Sequence, residues 1–349
     1  MKTLPFEWSG NTFKALDQRY LPHEEIWVDC ITIEDFHAAI KDMVVRGAPL
    51  IGFTALFGLV LWAKKTNERS IESLKKVIDY IKTARHTAVN LAYEADRFYL
   101  AFKSSLEKVG WDNSVEKLEN FTIEQFNKLD GDNLKMAKLA EEELIKIHGH
   151  KKYRLVTLCN TGALACGPRG TAFGVIDYLH QNGKIDHVFA AETRPYLQGS
   201  RLTAYELKKS GVPYSVFVEG AMFHLLQTQN IDGIFIGADR IVENGDTANK
   251  IGSATLSQIA KRFNVPFFVV APTSSFDLSL KRGEEIEIEF RPESEVLEVK
   301  GHKIAPHNSK AYNPSFDVTP GENIKAIFCE NGTISPVNSD NVKKIVGIK

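Results

Sequence analysis

Asp239 follows a short apolar run, Ile234-Phe235-Ile236, after a Gly237-Ala238 break, and Asn249-Lys250 stand beyond the polar loop Glu243 to Thr247. The apolar run suits a buried strand. A carboxylate at its end can pass protons if burial raises its pKa, and an amide with an ammonium can hold ligand oxygens. A plain turn cap is the competing reading of Asp239. Cys159-Asn160-Thr161-Gly162-Ala163 repeats the arrangement after the apolar run Leu155 to Leu158. A thiol at a strand end before a helix start can be acidified by the helix dipole. A small buried core cysteine is its competing reading. In Glu192 to Arg201, two arginines, Arg194 and Arg201, and Gln198 surround Gly199-Ser200. That set suits a phosphate or polyol, or else a solvated loop capped by Ser200. Glu219, at another strand-to-helix turn, reads as structural.

Arg46-Gly47-Ala48 and Arg85-His86-Thr87-Ala88 each place an arginine before an expected helix. A helix N-terminus with an arginine is an anion site; a surface arginine paired with a carboxylate is the alternative. No set of His, Cys and carboxylates has metal-ligand spacing, so no metal is expected. There is no Walker loop and no GxGxxG, so a nucleotide is not required.

Two kinds of element must position these residues. Residues 1 to 31 read as a small antiparallel sheet. Thr32 with Asp35 opens a helix carrying Phe36, Ala39, Ile40, Met43 and Val44 on one face, and Pro49 suits the start of the next. Further helical patterns cover Ile71 to Thr83, Ala88 to Val109 and Leu134 to Ile147. From Tyr153 the rhythm becomes strand then helix: strands at 155–158, 188–191, 215–218, 235–236 and 267–271, helices at 169–181, 200–210, 220–228 and 253–263. Repeating βαβ units imply a parallel sheet covered on both faces, with ligands beyond its carboxyl edge. The fold class is therefore α/β: residues 1–149 form a mostly helical domain with a small antiparallel sheet, and 150–349 a Rossmann-like catalytic domain.

The totals narrow the function. The 349 residues, 43% apolar and 25% charged, are ordinary for a soluble protein. A net charge of −1 offers no field for nucleic acid or a membrane surface. The four cysteines match neither a zinc pair nor a redox CxxC, which favours a reduced cytoplasmic setting. The N-terminus lacks a signal-peptide core. The uncharged run Ala48 to Ala63 reads as a buried helix, too short for a span.

Taken together the motifs become specific. VVRGAPLIG (Val44 to Gly52), TAVNL (Thr87 to Leu91), CNTGALA (Cys159 to Ala165), ETRPYLQGSRLTAYEL (Glu192 to Leu207), GADRI (Gly237 to Ile241) and NKIG (Asn249 to Gly252) resemble the methylthioribose-1-phosphate isomerase family. LDQRYLPHEE and AYNPSFDVTP frame the resemblance, which runs from about residue 4 to about 337. It implies a cofactor-free aldose–ketose isomerase of methionine salvage, converting 5-methylthioribose 1-phosphate to 5-methylthioribulose 1-phosphate. It also implies a homodimer. By the same carry-over, Asp239 is the acid/base and Cys159 its partner, while Arg46, Gly47, Ala48, Arg85, Gln198, Asn249 and Lys250 hold the sugar phosphate.

Two departures bear on the substrate. His86 stands where the family commonly has proline, and Cys166-Gly167-Pro168-Arg169-Gly170 replaces its usual Thr-Ala-Gly-Tyr-Gly run. Arg169 or His86 would supply a second anion site for ribose 1,5-bisphosphate. A 5-methylthio or 5-deoxyribose 1-phosphate needs an apolar pocket instead, for which Trp8, Phe53 and Phe57 are candidates and core packing the alternative. The rival from another class is a non-catalytic, nucleotide-binding regulatory subunit of the translation-initiation exchange factor.

Overall fold

The computed structural model describes residues 3–85, 89–299 and 301–347. The chain forms two compact units. One runs from the N-terminus to Gly131 and also takes Gly162–Gly170; the other takes Asp132–Thr161 and the chain from Thr171 onward.

In the first unit, β1 (Phe6–Trp8), β2 (Phe13–Leu16) and β3 (Trp27–Cys30) make an antiparallel meander. Helices α1 (Ile33–Lys41), α2 (Ala48–Lys65), α3 (Ile71–Lys82) and α4 (Val89–Val109) follow, then α5 (Trp111–His148), which continues into the second unit. Thr32 and Asp35 close a reciprocal capping box on α1, as their spacing predicts. The uncharged run from Ala48 lies in α2, which is buried along most of its length. Among the described residues no helix is long and apolar enough to cross a membrane. Phe57 packs among Phe6, Trp8 and Phe13, Phe53 meets Phe126 edge-on, and the Trp8 indole donates to Glu119 at 3.2 Å. Core packing thus accounts for Trp8, Phe53 and Phe57.

Helix α5 corrects the sequence reading, which started a helix only at Leu134. Its earlier part is largely polar and includes Gly131, which lowers helix propensity by about 1 kcal/mol. Val115, Leu118 and Thr122 are nevertheless buried against the unit's core, and tertiary packing overrides the weak local signal.

The second unit is built on a seven-stranded sheet. Its strands are β4 (Tyr153–Thr157), β5 (Ile185–Ala191), β6 (Tyr214–Phe217), β7 (Gly233–Ile236), β10 (Phe267–Val270), β15 (Ala326–Cys329) and β16 (Gly332–Ile334). Their spatial order is β6-β5-β4-β7-β10-β15-β16, parallel except for β16. Leu155, Phe235 and Phe268 join one core with α5 residues Met136, Ala137, Ala140 and Leu144; Val156, Ile234, Ile236, Phe267 and Val269 join the other. Period-two alternation with both faces apolar is what a sheet covered on both sides requires. The helices α7 (Ala172–Gln181), α8 (Ala204–Ser210), α9 (Met222–Thr228), α10 (Ser253–Arg262) and α12 (Ser339–Val346) accompany it. A second sheet, of order β11-β8-β9-β14, contains β8 (Arg240–Val242), β9 (Thr247–Lys250), β11 (Phe276–Asp277) and β14 (Phe316–Thr319). The short α11 (Ser294–Leu297), β12 (Glu298–Val299) and β13 (His302–Lys303) lie between β11 and β14 in the chain. The one-turn α6 (Ala163–Cys166) belongs to the first unit.

Candidate active site

The parallel sheet reverses its winding at β4. The chain goes outward through β5 and β6, returns to β7 on the other side of β4, and goes out again through β10 and β15. Such a reversal leaves a crevice beyond the carboxyl ends of the two central strands. Thr157 pairs with Phe235 in the register of β4 and β7, so Cys159 and Asp239 leave the same edge from neighbouring strands. Two residues far apart in sequence thus follow adjacent strands at this reversal.

Cys159 is 8% exposed and has φ +68°, a left-handed conformation unusual for a residue with a side chain. Its N–H donates to Thr193 Oγ1 at 3.0 Å, and its carbonyl accepts the Thr203 hydroxyl at 2.5 Å. Asn160 is buried beside it and donates to Glu206 at 2.6 Å. The helix that follows Cys159 in the chain, α6, is only one turn long.

Asp239 is exposed, and its N–H donates to Ala248 O at 3.0 Å. That bond ties it to the strand carrying Asn249 and Lys250, because β8 and β9 pair antiparallel with Arg240 opposite Ala248. Asn249 is buried and donates to Ser253 Oγ at 2.9 Å. Lys250, 8% exposed, donates to Ser315 O at 2.7 Å and lies 4.9 Å from the Phe316 ring centre. Asp317, opposite Asn249, accepts N–H groups of Gly252 and Ala254 at the start of α10. Burial is the largest influence on the Asp317 carboxyl and pushes its pKa up, against the pull of those hydrogen bonds.

Gln198 is buried just before a π-helical turn, Gly199–Thr203, and among the described residues its Oε1 has no hydrogen-bond partner. A buried unsatisfied amide oxygen is unfavourable unless a ligand or water completes it. The two arginines around it are committed elsewhere. Arg194 donates to Pro195 O and Val296 O, at 3.0 and 2.9 Å, and Arg201 donates to Tyr196 O and stacks over its ring. These bonds fasten the loop around Gln198. Glu219 is structural as expected: it accepts the N–H of Thr193 at 2.5 Å and of Arg194 at 3.4 Å.

Within the first unit, Arg46 is buried immediately before α2, and Gly47 is that helix's N-cap with φ +94°. A Cβ at Gly47 would lie 2.4 Å from Ala165 O, so the Arg46-Gly47-Ala48 turn and α6 can meet only with glycine there. Ala48 opens α2, and Pro49 is its second residue. Gln18 donates to Leu164 O at 2.6 Å, fastening the same junction. Arg85 is half-buried after α3, while His86, Thr87 and Ala88 lie outside the described residues. Arg169 pairs with Asp130 at 3.2 Å and is mostly buried. The ion pair offsets its charge within its own unit.

Sequence reasoning missed Thr193 and Thr203. Both lie inside the ETRPYLQGSRLTAYEL block, but no local pattern marks a threonine as a clamp on a loop from another strand.

The comparisons agree with the architecture. The model of the Initiation factor 2 subunit family matches residues 44–336. A curated methylthioribose-1-phosphate isomerase from Caldicellulosiruptor saccharolyticus is 41% identical, covering 97% of this chain and 98% of that one. The crystal structure of 5-methylthioribose 1-phosphate isomerase from Pyrococcus horikoshii superposes with a TM-score of 0.88 at 35% identity, covering 100% of this chain and 97% of that one. A structure described as the delta subunit of translation initiation factor eIF-2B from A. fulgidus matches with a TM-score of 0.85 at 34% identity, covering 99% and 100%. Fold alone therefore does not separate the enzyme from the translation-factor description; a further curated relative, from Thermotoga petrophila, is 44% identical over 100% of this chain and is also named a methylthioribose-1-phosphate isomerase. The chain belongs to the methylthioribose-1-phosphate isomerase family, within the Initiation factor 2 subunit family.

Proposed function

We propose that this chain isomerises 5-methylthioribose 1-phosphate to 5-methylthioribulose 1-phosphate in methionine salvage. The observation that supports the chemistry is that Cys159 and Asp239 follow the carboxyl ends of adjacent strands at the sheet reversal. The phosphate on C1 locks the sugar as a cyclic acetal, so the ring must open before C2 can be oxidised. Asp239, in its protonated form, donates to the ring oxygen as C1–O breaks. Hydrogen then leaves C2 and arrives at C1, and the C2 hydroxyl becomes a carbonyl as its proton passes to the Asp239 carboxylate left by ring opening. In the proton route Cys159 is the base and an enediol-like species intervenes; in the hydride route the hydrogen moves directly. Arg46, Gly47, Ala48, Arg85, Gln198, Asn249 and Lys250 hold the phosphate and hydroxyls in this reading. The open Oε1 of Gln198 supports it for one hydroxyl. Asp239 is exposed, and substrate bound over it would favour the protonated form by excluding water. We take the enzyme to act as a cytoplasmic homodimer without a cofactor.

Two alternatives give the test its arms. Ribose 1,5-bisphosphate would need a second anion site, and the Arg169–Asp130 pair weakens the case for one. A regulatory subunit would bind a nucleotide such as AMP without turnover. Steady-state assays on 5-methylthioribose 1-phosphate, 5-deoxyribose 1-phosphate and ribose 1,5-bisphosphate rank them by kcat/KM. The methylthio sugar should rank first, and AMP should not bind tightly. A higher ranking of the bisphosphate, or inertness toward all three, overturns the assignment.

A further inference from the structure

We infer that Thr193 and Thr203 are positioning residues for Cys159, clamping its backbone in the left-handed conformation. The functional part of this inference rests on the proposed role of Cys159 as base. The clamp grips both polar groups of the residue: N–H to Thr193 Oγ1 at 3.0 Å, and carbonyl from the Thr203 hydroxyl at 2.5 Å. Both threonines are buried.

Thr193 is itself committed on every side. Its hydroxyl donates to Ala191 O at 3.0 Å while accepting from Cys159, so one oxygen joins the end of β5 to the loop after β4. Its N–H is held by Glu219, and its φ is +66°. Thr203 is the last residue of the π-helical turn, an irregularity frequent at functional sites. Its hydroxyl also receives Asn160 Nδ2 at 3.4 Å. The turn fits only because Gly199 lacks a side chain: a Cβ there would lie 1.6 Å from Ala191 O and 2.9 Å from Thr193 Oγ1.

A loop needing only this backbone shape would take glycine or asparagine without strain. This chain instead holds a cysteine there with two buried hydroxyls. Strained residues persist where their surroundings over-determine them, and such places cluster at active sites. Because Cβ swings with φ, releasing the clamp redirects the thiol. A misplacement of about 1 Å can lower a rate on the order of a hundredfold.

The test uses Thr193→Val and Thr203→Val, which replace the hydroxyl by a methyl group of similar size, with Thr193→Ser and Thr203→Ser as rescues. The valine variants should lose about 10- to 100-fold in kcat with KM within about threefold, and the serine variants should recover most of it. Alkylation of each thiol by iodoacetamide, mapped by mass spectrometry, gives a readout independent of turnover. The Cys159 rate should change by about fivefold or more, while the buried Cys30 and Cys329 keep theirs. Unchanged kcat together with an unchanged Cys159 rate overturns the inference. So does a parallel rise at all three cysteines, which reports general loosening. A selective change at Cys159 without loss of kcat upholds the clamp and instead removes Cys159 from the proposed chemistry.

Discussion

The two strand ends that carry the proposed chemistry are built in opposite ways. After β4, Cys159 is buried, left-handed and gripped at both backbone groups. After β7, Asp239 is exposed, and its N–H donates to Ala248 O in a small second sheet. The first is fixed before substrate arrives, so its orientation belongs to the fold. The second stands at the surface, where bound substrate can reach it. Acid and base on one sheet edge can in this way differ in how much of their chemistry is pre-organised.

Substitutions that remove each group sharpen the contrast most. Asp239→Asn should lower kcat by about 10²- to 10⁴-fold with the fold intact, because an amide cannot protonate the ring oxygen. Cys159→Ala should lose about as much in the proton route and far less in the hydride route, so the size of its effect separates the two. Solvent deuterium appearing fully at C1 would rule out the hydride route independently.

Backbone changes come next and should act unequally on the two ends. Gly199→Ala forces a Cβ onto Ala191 O beside the Thr193 clamp. Its expected effect is a loss of about 1–3 kcal/mol in stability, read by urea unfolding, and roughly tenfold or more in kcat. A variant with unchanged kcat would show that the Cys159 end tolerates movement.

Much of this arrangement was legible in the sequence because it depends on local pattern. The apolar run before Asp239, the strand–helix rhythm from Tyr153 and the Thr32–Asp35 cap all follow from periodicity or capping chemistry, and each has its counterpart in the fold. Helix α5 was under-read because its earlier part is held by packing rather than by a strong stripe. The settings of Arg169 and Arg194 are hard to read locally because their partners, Asp130 and Val296 O, are distant in sequence. The threonine clamp was invisible for the same reason, since Thr193 and Thr203 meet Cys159 only after three segments come together.

The smallest expected effect concerns the segment near Lys250. Burial alone would raise the Glu295 pKa, but the hydrogen bonds and charge of Arg291 outweigh it and hold the carboxyl below its usual range. The folded state therefore binds the Glu295 proton less readily than the unfolded chain. This contribution is present above the unfolded pKa and is lost as pH falls through the lowered folded value. Glu295→Gln should remove about 1 kcal/mol at neutral pH and flatten the acid limb of stability against pH. Urea midpoints between pH 7 and pH 3 read it, and an unchanged acid limb would show that the pair contributes nothing.

Phosphorus NMR of wild-type protein and Asp239→Asn, each incubated with 5-methylthioribose 1-phosphate, tests the central claim most directly. The acetal phosphate resonance should give way to that of a primary-alcohol phosphate with the wild type and persist with Asp239→Asn over the same interval. An unchanged spectrum with the wild type would contradict the isomerase assignment, and equal conversion by both would remove Asp239 from the mechanism.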